Sequence, residues 1–291
     1  MRKVLRFCSI LCAFTLIAPT VTAGLIPLDI SITGNAELDT TNSASPTGNA
    51  SQNADMSLVI GGGTTLTSIA NLTPTGANPL TGTLTDFGDG VGVSAIGSST
   101  SGAISKVPDF FFDIDFSLLN SSATDTYQIF FELAYSVSAH AQGNGTFIDN
   151  GSDAFVNAEV NLFDGPLVDS PDEIFASDLT SDRRFGDEIG DVLGSTFPGT
   201  NGASLSDSGT FLFDITLAAG ASNNFSALVR MDGGAFSNDA FFNGRSSAFI
   251  SILSADNLTA VQPPSQVPEP STFILFFIAM ALLQVKRKIN N

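Results

Sequence analysis

Cysteine occurs only as Cys8 and Cys12, tryptophan is absent, and His140 is the one histidine among 291 residues. From residue 24 onward the chain has no thiol for a disulfide or a nucleophile, and it lacks the several His or Cys ligands that a zinc centre requires. A Ser-His-Asp relay would have to run through His140, which falls on the polar side of an alternating segment; no G-x-S-x-G elbow accompanies it, so it reads as a solvated surface histidine. Positive charge is nearly as scarce. Between Gly24 and Gln266 five cations, Lys106, Arg183, Arg184, Arg230 and Arg245, face twenty-eight carboxylates, a balance near −23. Such a surface has no cationic patch with which to displace counterions, which excludes nucleic acid and anionic lipid as partners. Without tryptophan, and with Tyr127 and Tyr135 both on the apolar side of their segment, the usual flat platform for stacking sugar rings is missing from the sequence.

Phenylalanine, glycine and short alternating runs are what the chain does have. Twenty of its 25 phenylalanines lie between Phe87 and Phe249, and each contributes about 1.5–3 kcal/mol when fully buried. Phe110, Phe112, Ile114, Phe116 and Leu118 alternate with Asp113, Asp115 and Ser117, then a turn-rich stretch from Asn120 to Thr126 leads into Tyr127, Ile129, Phe131, Leu133, Tyr135, Val137 and Ala139. The pattern predicts a long antiparallel hairpin with one buried face. Phe155 to Phe163 repeats it. A second hairpin is expected from Phe211–Leu217 through Ala218–Ser222 into Phe225–Met231, and a last strand from Ala248, Ile250 and Ile252. From Ser31 to Ser105 the chain is rich in Ser, Thr, Gly and Asn with apolar islands, which reads as short strands in a loose sheet with disordered stretches between. Asp164 to Gly199 breaks the rhythm and reads as a long acidic loop or a short helix crossing between sheets. Period-two segments without a long amphipathic helix predict an all-β fold, an antiparallel β-sandwich of jelly-roll or immunoglobulin-like type, spanning residues 24–260 as one domain.

Carboxylates supply the only candidates for chemistry. Asp113 and Asp115 share a strand face at a spacing of roughly 7 Å, near that of a retaining glycosidase, although alternation places any exposed pair so. A carboxylate-rich surface poor in lysine also leaves oxygens free for calcium, and the candidates are Asp149 and Asp153, with Asp187, Glu188 and Asp191 in the acidic stretch. Neither group matches an EF-hand loop.

The two ends are addresses. Arg2, Lys3 and Arg6, an apolar run from Val4 to Ala18 and Val21-Thr22-Ala23 before Gly24 form a secretory signal peptide, residues 1–23, with cleavage expected between Ala23 and Gly24. At the other end a proline-rich spacer, residues 261–266, precedes Val267-Pro268-Glu269-Pro270, an apolar segment from Phe273 to Val285 and the basic stop Lys286, Arg287 and Lys288. That apolar segment makes a short transmembrane helix of about 20 Å against a hydrocarbon core of about 30 Å, enough to insert and too little for a comfortable permanent span. Cations at both extremities place both ends in the cytoplasm and the domain outside the inner membrane.

The tail, residues 267–291, resembles the PEP-CTERM sorting domain of exported bacterial proteins. The resemblance implies that Val267, Pro268, Glu269 and Pro270 are recognised by a membrane-embedded exosortase after passage through the Sec translocon. It implies a transient inner-membrane intermediate, and a final place at the cell surface or in the extracellular matrix of a Gram-negative bacterium, associated with exopolysaccharide and biofilm. The expected function is that of a non-enzymatic envelope or matrix protein with extracellular polysaccharide as its partner and no obligatory cofactor. Two alternatives stand beside it: a calcium-stabilised adhesin or carbohydrate-binding module, and a glycan-processing enzyme.

Overall fold

A computed structural model describes residues 24–145, 153–167 and 172–259. The residues expected to form a signal peptide, up to Ala23, together with Asp149, the Val267–Pro270 motif, the apolar segment and the expected basic stop Lys286–Lys288, lie outside the described residues. The described residues form fifteen strands and no α-helix: β1 (Ile30–Leu38), β2 (Ala50–Ile60), β3 (Gly63–Ala70), β4 (Thr73–Pro74), β5 (Leu80–Leu84), β6 (Gly90–Ser99), β7 (Ser105–Asn120), β8 (Tyr127–Gln142), β9 (Ala154–Asp164), β10 (Asp172–Asp182), β11 (Glu188–Asp191), β12 (Gly194–Thr196), β13 (Leu205–Leu217), β14 (Ser222–Ala235) and β15 (Phe241–Asn257).

They pair antiparallel into two sheets, one of eight strands in the order β12-β11-β10-β9-β14-β7-β1-β5 and one of seven in the order β13-β8-β15-β6-β2-β3-β4. The sheets pack face to face as a β-sandwich over one apolar cluster. Its centre is aromatic. Phe116 of β7 stacks on Phe225 of β14 at 4.6 Å, Phe131 of β8 stacks on Phe213 of β13 at 5.3 Å, and edge contacts of 4.9 Å and 5.1 Å join Phe225 to Phe131 and Phe213 across the two sheets. Alternation thus identifies the buried faces correctly: Phe110, Phe112, Ile114, Phe116, Ile129, Phe131 and Leu133 are all fully buried.

The pairing differs from the sequence expectation. β7 and β8 are not a hairpin, because β7 lies in the eight-stranded sheet between β14 and β1 while β8 lies in the seven-stranded sheet between β13 and β15. The expected second hairpin, β13 to β14, likewise crosses from one sheet to the other. Alternation says which side of a strand is buried, and two strands facing each other across a core have the same pattern as two strands side by side. Among the eight strands β6 to β10 and β13 to β15, only β9 and β10 are consecutive neighbours in one sheet.

Two further expectations are corrected. The stretch from 31 to 105 forms β1 to β6, which extend both sheets: β1 and β5 beyond β7, and β2, β3 and β4 beyond β6. Its apolar signal is faint because small residues do the packing. Gly34 admits Val91 from the facing sheet so closely that a Cβ there would lie 2.4 Å from the valine Cγ2. The acidic segment is not a loop or helix but holds β10, β11 and β12 at a sheet edge. On β10 the inward positions alternate as Phe175, Ser177, Leu179 and Ser181; the hydroxyls of Ser177 and Ser181 donate to Asp207 (2.7 Å) and the Ala203 carbonyl (2.8 Å). Half the buried face is polar, so no hydrophobic period is visible.

Candidate functional site

Three features could carry function: the pole where both described ends emerge, the acidic outer face of the eight-stranded sheet, and the individual residues singled out from the sequence. The pole is built on Asn120, which is fully buried at the end of β7. Its Nδ2 donates to the carbonyls of Asp125 (2.7 Å), Leu217 (3.2 Å) and Ala218 (2.9 Å), and its Oδ1 accepts from Ser122 N–H (3.0 Å). One side chain thereby holds together the β7–β8 arch and the β13–β14 arch. The same arch receives the first described segment, since Ser121 N–H donates to the Asp29 carbonyl (2.7 Å). It also receives the last, since Leu258 N–H donates to the Thr126 carbonyl (2.8 Å) and Thr126 N–H to Thr259 Oγ1 (2.7 Å). Leu25, Leu28, Leu119 and Leu258 are exposed there, Leu28 wholly so.

On the outer face of the eight-stranded sheet, register aligns Asp178, Glu159, Arg230 and Phe111 across β10, β9, β14 and β7. The guanidinium of Arg230 lies 4.9 Å over the Phe111 ring and pairs with Glu159 (3.2 Å), Asp109 (3.3 Å) and Asp232 (3.3 Å). Beyond Glu159, Asn161 donates to Glu173 (2.7 Å) and Asp178 (3.4 Å). One cation for five carboxylates leaves the cluster short of positive charge. Burial, then the repulsion of Glu159 and Glu173, pushes the Asp178 carboxyl up to about 7. Burial drives Asp232 to about 6 even with Arg230 beside it. Glu159 is raised by burial as well, with Arg230 pulling the other way.

Asp113 and Asp115, the pair read from the sequence, sit on the same face opposite Glu37 and Asn35 of β1. Burial and then Asp115, Asp39 and Glu37 lift Asp113 to about 6, and burial raises Asp115. They line a hollow of about 300 Å³ with Ser117, Asn224, Pro166 and Leu167. His140 lies half-buried on the outer face of β8 with its ring edge-on to Phe241 at 5.8 Å, and among the described residues no hydrogen bond joins it to a serine or a carboxylate.

The calcium candidates of the acidic stretch do not converge. Asp187 is buried and its carboxylate accepts four hydrogen bonds, from Asp182 N–H (3.1 Å), Gly202 N–H (2.7 Å), Ala203 N–H (2.9 Å) and the Thr200 hydroxyl (2.6 Å). It fastens the 199–203 segment to the β10–β11 turn, with its lone pairs taken. Glu188 and Asp191 stand at positions of opposite parity on β11, hence on opposite faces, and Asp191 accepts from Leu193 N–H (2.7 Å). Asp153 is buried and accepts from Gly145 N–H (2.9 Å). Among the described residues no group of three or more His, Cys, Asp and Glu is arranged to hold a metal ion. Sequence reasoning missed Asn120 and the Arg230 cluster. The first reads as an ordinary turn residue, and the second is assembled from four strands whose neighbours only the topology reveals.

No family model matches the chain, and no curated protein matches it. Among solved structures, the infectious bursal disease virus VP2 subviral particle is similar over 79% of this chain and 66% of that chain, at 9% identity and a TM-score of 0.17. The chain thus spans just under two thirds of that protein. The infectious bursal disease virus Gt strain structure is similar over 88% of this chain and 72% of that chain, at 8% identity and a TM-score of 0.13. Likenesses at this level carry no argument about the chain.

Proposed function

We propose that this chain is a non-enzymatic exported protein, carried out by its signal peptide, held at the inner membrane by its PEP-CTERM-like tail and short transmembrane helix, and released by an exosortase into the cell surface or extracellular matrix. The observation that carries the reading is the shared pole. Gly24, which follows the expected cleavage site, and Thr259, which precedes the tail, both belong to segments fastened at the Asn120 end of the sandwich. A domain delivered and held by its two ends is best served when both leave from one side, so that the rest faces away from the bilayer. Structural duties of the acidic residues support the non-enzymatic part: Asp187 is saturated by donors and Arg230 is enclosed by carboxylates. We read the domain as a jelly roll. The strand orders β6-β15-β8-β13 and β7-β14-β9-β10, with the chain alternating between sheets except at β9–β10, favour that connectivity over the immunoglobulin-like one.

The test is the double substitution of Glu269 and Pro270 by alanine in the full chain, followed by fractionation of cells that contain an exosortase. The altered chain is expected to accumulate uncut in the inner membrane while the parent is released. Equal release of both overturns the reading.

A further inference from the structure

The outward residues of the seven-stranded sheet come into line across six strands. Register places Ser208 of β13 beside Ser136 of β8, Ser136 beside Ser247 of β15, Ser247 beside Ser94 of β6, Ser94 beside Asp55 of β2, and Asp55 beside Ser68 of β3. At a strand spacing of about 4.8 Å the line extends over roughly 24 Å at right angles to the strands. A trough of about 390 Å³ runs along its middle, lined by Asp55, Ser94, Ser136 and Ser247, with Arg245 on one wall and Phe249 on the other.

Both walls are unusual for this molecule. The Phe249 ring lies along two glycines of β6: a Cβ at Gly92 would meet its Cδ2 at 2.7 Å, and one at Gly90 its Cζ at 2.9 Å. Bare backbone supports one side of this half-buried ring, which lines the trough together with Tyr135 and offers a stacking surface that composition alone hides because a phenylalanine supplies it. Arg245 is exposed, and no salt bridge among the described residues includes it, although the chain has far more carboxylates than cations; its one hydrogen bond runs to Ser94 Oγ at 3.5 Å. A guanidinium left without an ion pair in so acidic a domain has its donors free.

We infer that this trough is a binding site for an extended, uncharged polysaccharide strand. The apolar C–H face of a pyranose ring packs on Phe249, and ring hydroxyls accept from Arg245, donate to Asp55 and do either with the serines, whose hydroxyls offer both donor and acceptor. Successive strands present these groups at a regular interval, as a repeating polymer does, and the shallow open form suits a chain that enters and leaves rather than an enclosed small molecule. The charge of the domain decides against a polyanion: a balance near −23 repels a polyuronate, and Arg245 alone does not offset it. That the polymer is extracellular rests on the export reading above, whereas the binding chemistry does not.

The experiment is titration calorimetry on the full chain purified in mild detergent. The probes are hexasaccharides of β-1,4-glucose, β-1,3-glucose, β-1,4-mannose, β-1,4-xylose and β-1,4-N-acetylglucosamine, with hexaguluronate as the charged counterpart. At least one neutral probe is expected to bind, Phe249→Ala to weaken it tenfold or more, Phe249→Tyr to retain it, and Arg245→Ala to weaken it severalfold with an unchanged melting temperature. Failure of every neutral probe, preference for hexaguluronate, or binding that survives both alanine substitutions overturns the assignment. The Glu269/Pro270 variant should bind as the parent does, so a failure of sorting and a failure of this site are told apart.

Discussion

At the scale of single residues, the core is organised around Phe131, fully buried and in contact with three other rings: Phe116 at 5.9 Å, Phe213 at 5.3 Å and Phe225 at 4.9 Å. Those rings come from three different strands in both sheets, so little can collapse into the space that the removal of Phe131 would leave. Phe131→Ala is expected to cost about 3–5 kcal/mol of folding stability. Its neighbour Phe130 points to the outer face, half-buried beside Asp214 and Ser254, and Phe130→Ala should cost clearly less. Denaturant titration of the two variants checks this; equal losses would mean that the outer face of β8 is covered. The same residue-by-residue parity was open to view in the sequence, because Phe, Ile and Leu alternate with Asp or Ser from Phe112 to Leu118 on β7. Where inward residues are themselves polar, as Ser177 and Ser181 are on β10, parity is invisible and the strand goes unread.

Among the long central strands β6 to β9 and β13 to β15, consecutive elements are joined through arches rather than hairpins, and that is where the sequence was least informative. A turn of a few residues can return the chain beside its predecessor or carry it over the core to the other sheet, and the choice is made by partners remote in sequence. Asn120 records that choice physically: it reaches carbonyls of Leu217 and Ala218, almost a hundred positions away. Replacing it by alanine strands the buried Leu217 carbonyl and the buried Ser122 N–H, with an expected loss of about 2–6 kcal/mol at roughly 1–3 kcal/mol for each group left unsatisfied. Asn120→Asp should be no milder, because a carboxylate would then face the carbonyls that the amide now serves. Urea midpoints of the two variants decide the point; a tolerated aspartate would show that the amide donor is not what holds the arches. The serine line on the opposite sheet was hidden for a related reason. Ser136, Ser247 and Ser94 each read as a routine outward residue, and only the register of β8, β15 and β6 sets them in a row.

For the molecule as a whole, charge and closure have the widest effects. Asp178 holds its proton to about pH 7 and Asp113 and Asp232 to about pH 6, whereas an unfolded chain releases them near 3.8. The folded state therefore binds these protons more tightly than the unfolded one, and stability falls as pH rises through the window from about 4 to 7. The melting temperature is expected to climb when the pH is lowered from 8 to 5. Asp178→Asn should raise it at pH 8 and flatten the slope, with the difference from the parent shrinking as the pH falls and vanishing only below about 4; an unchanged slope would contradict the role given to this carboxyl beside Glu159 and Glu173. Closure depends on β15. The last strand among the described residues occupies the interior of its sheet, paired along one side with β8 and along the other with β6. Until residues 241–257 are present, β8 and β6 each keep an open edge and the core between the sheets lacks Phe242, Ile250 and Ile252. If the chain is exported N-terminus first, as proposed above, it stays unable to close for nearly the whole passage of the domain, because β15 follows every other described strand. On the export reading proposed above, folding would be timed by the fold itself, with loose translocation preceding compact closure as β15 comes through.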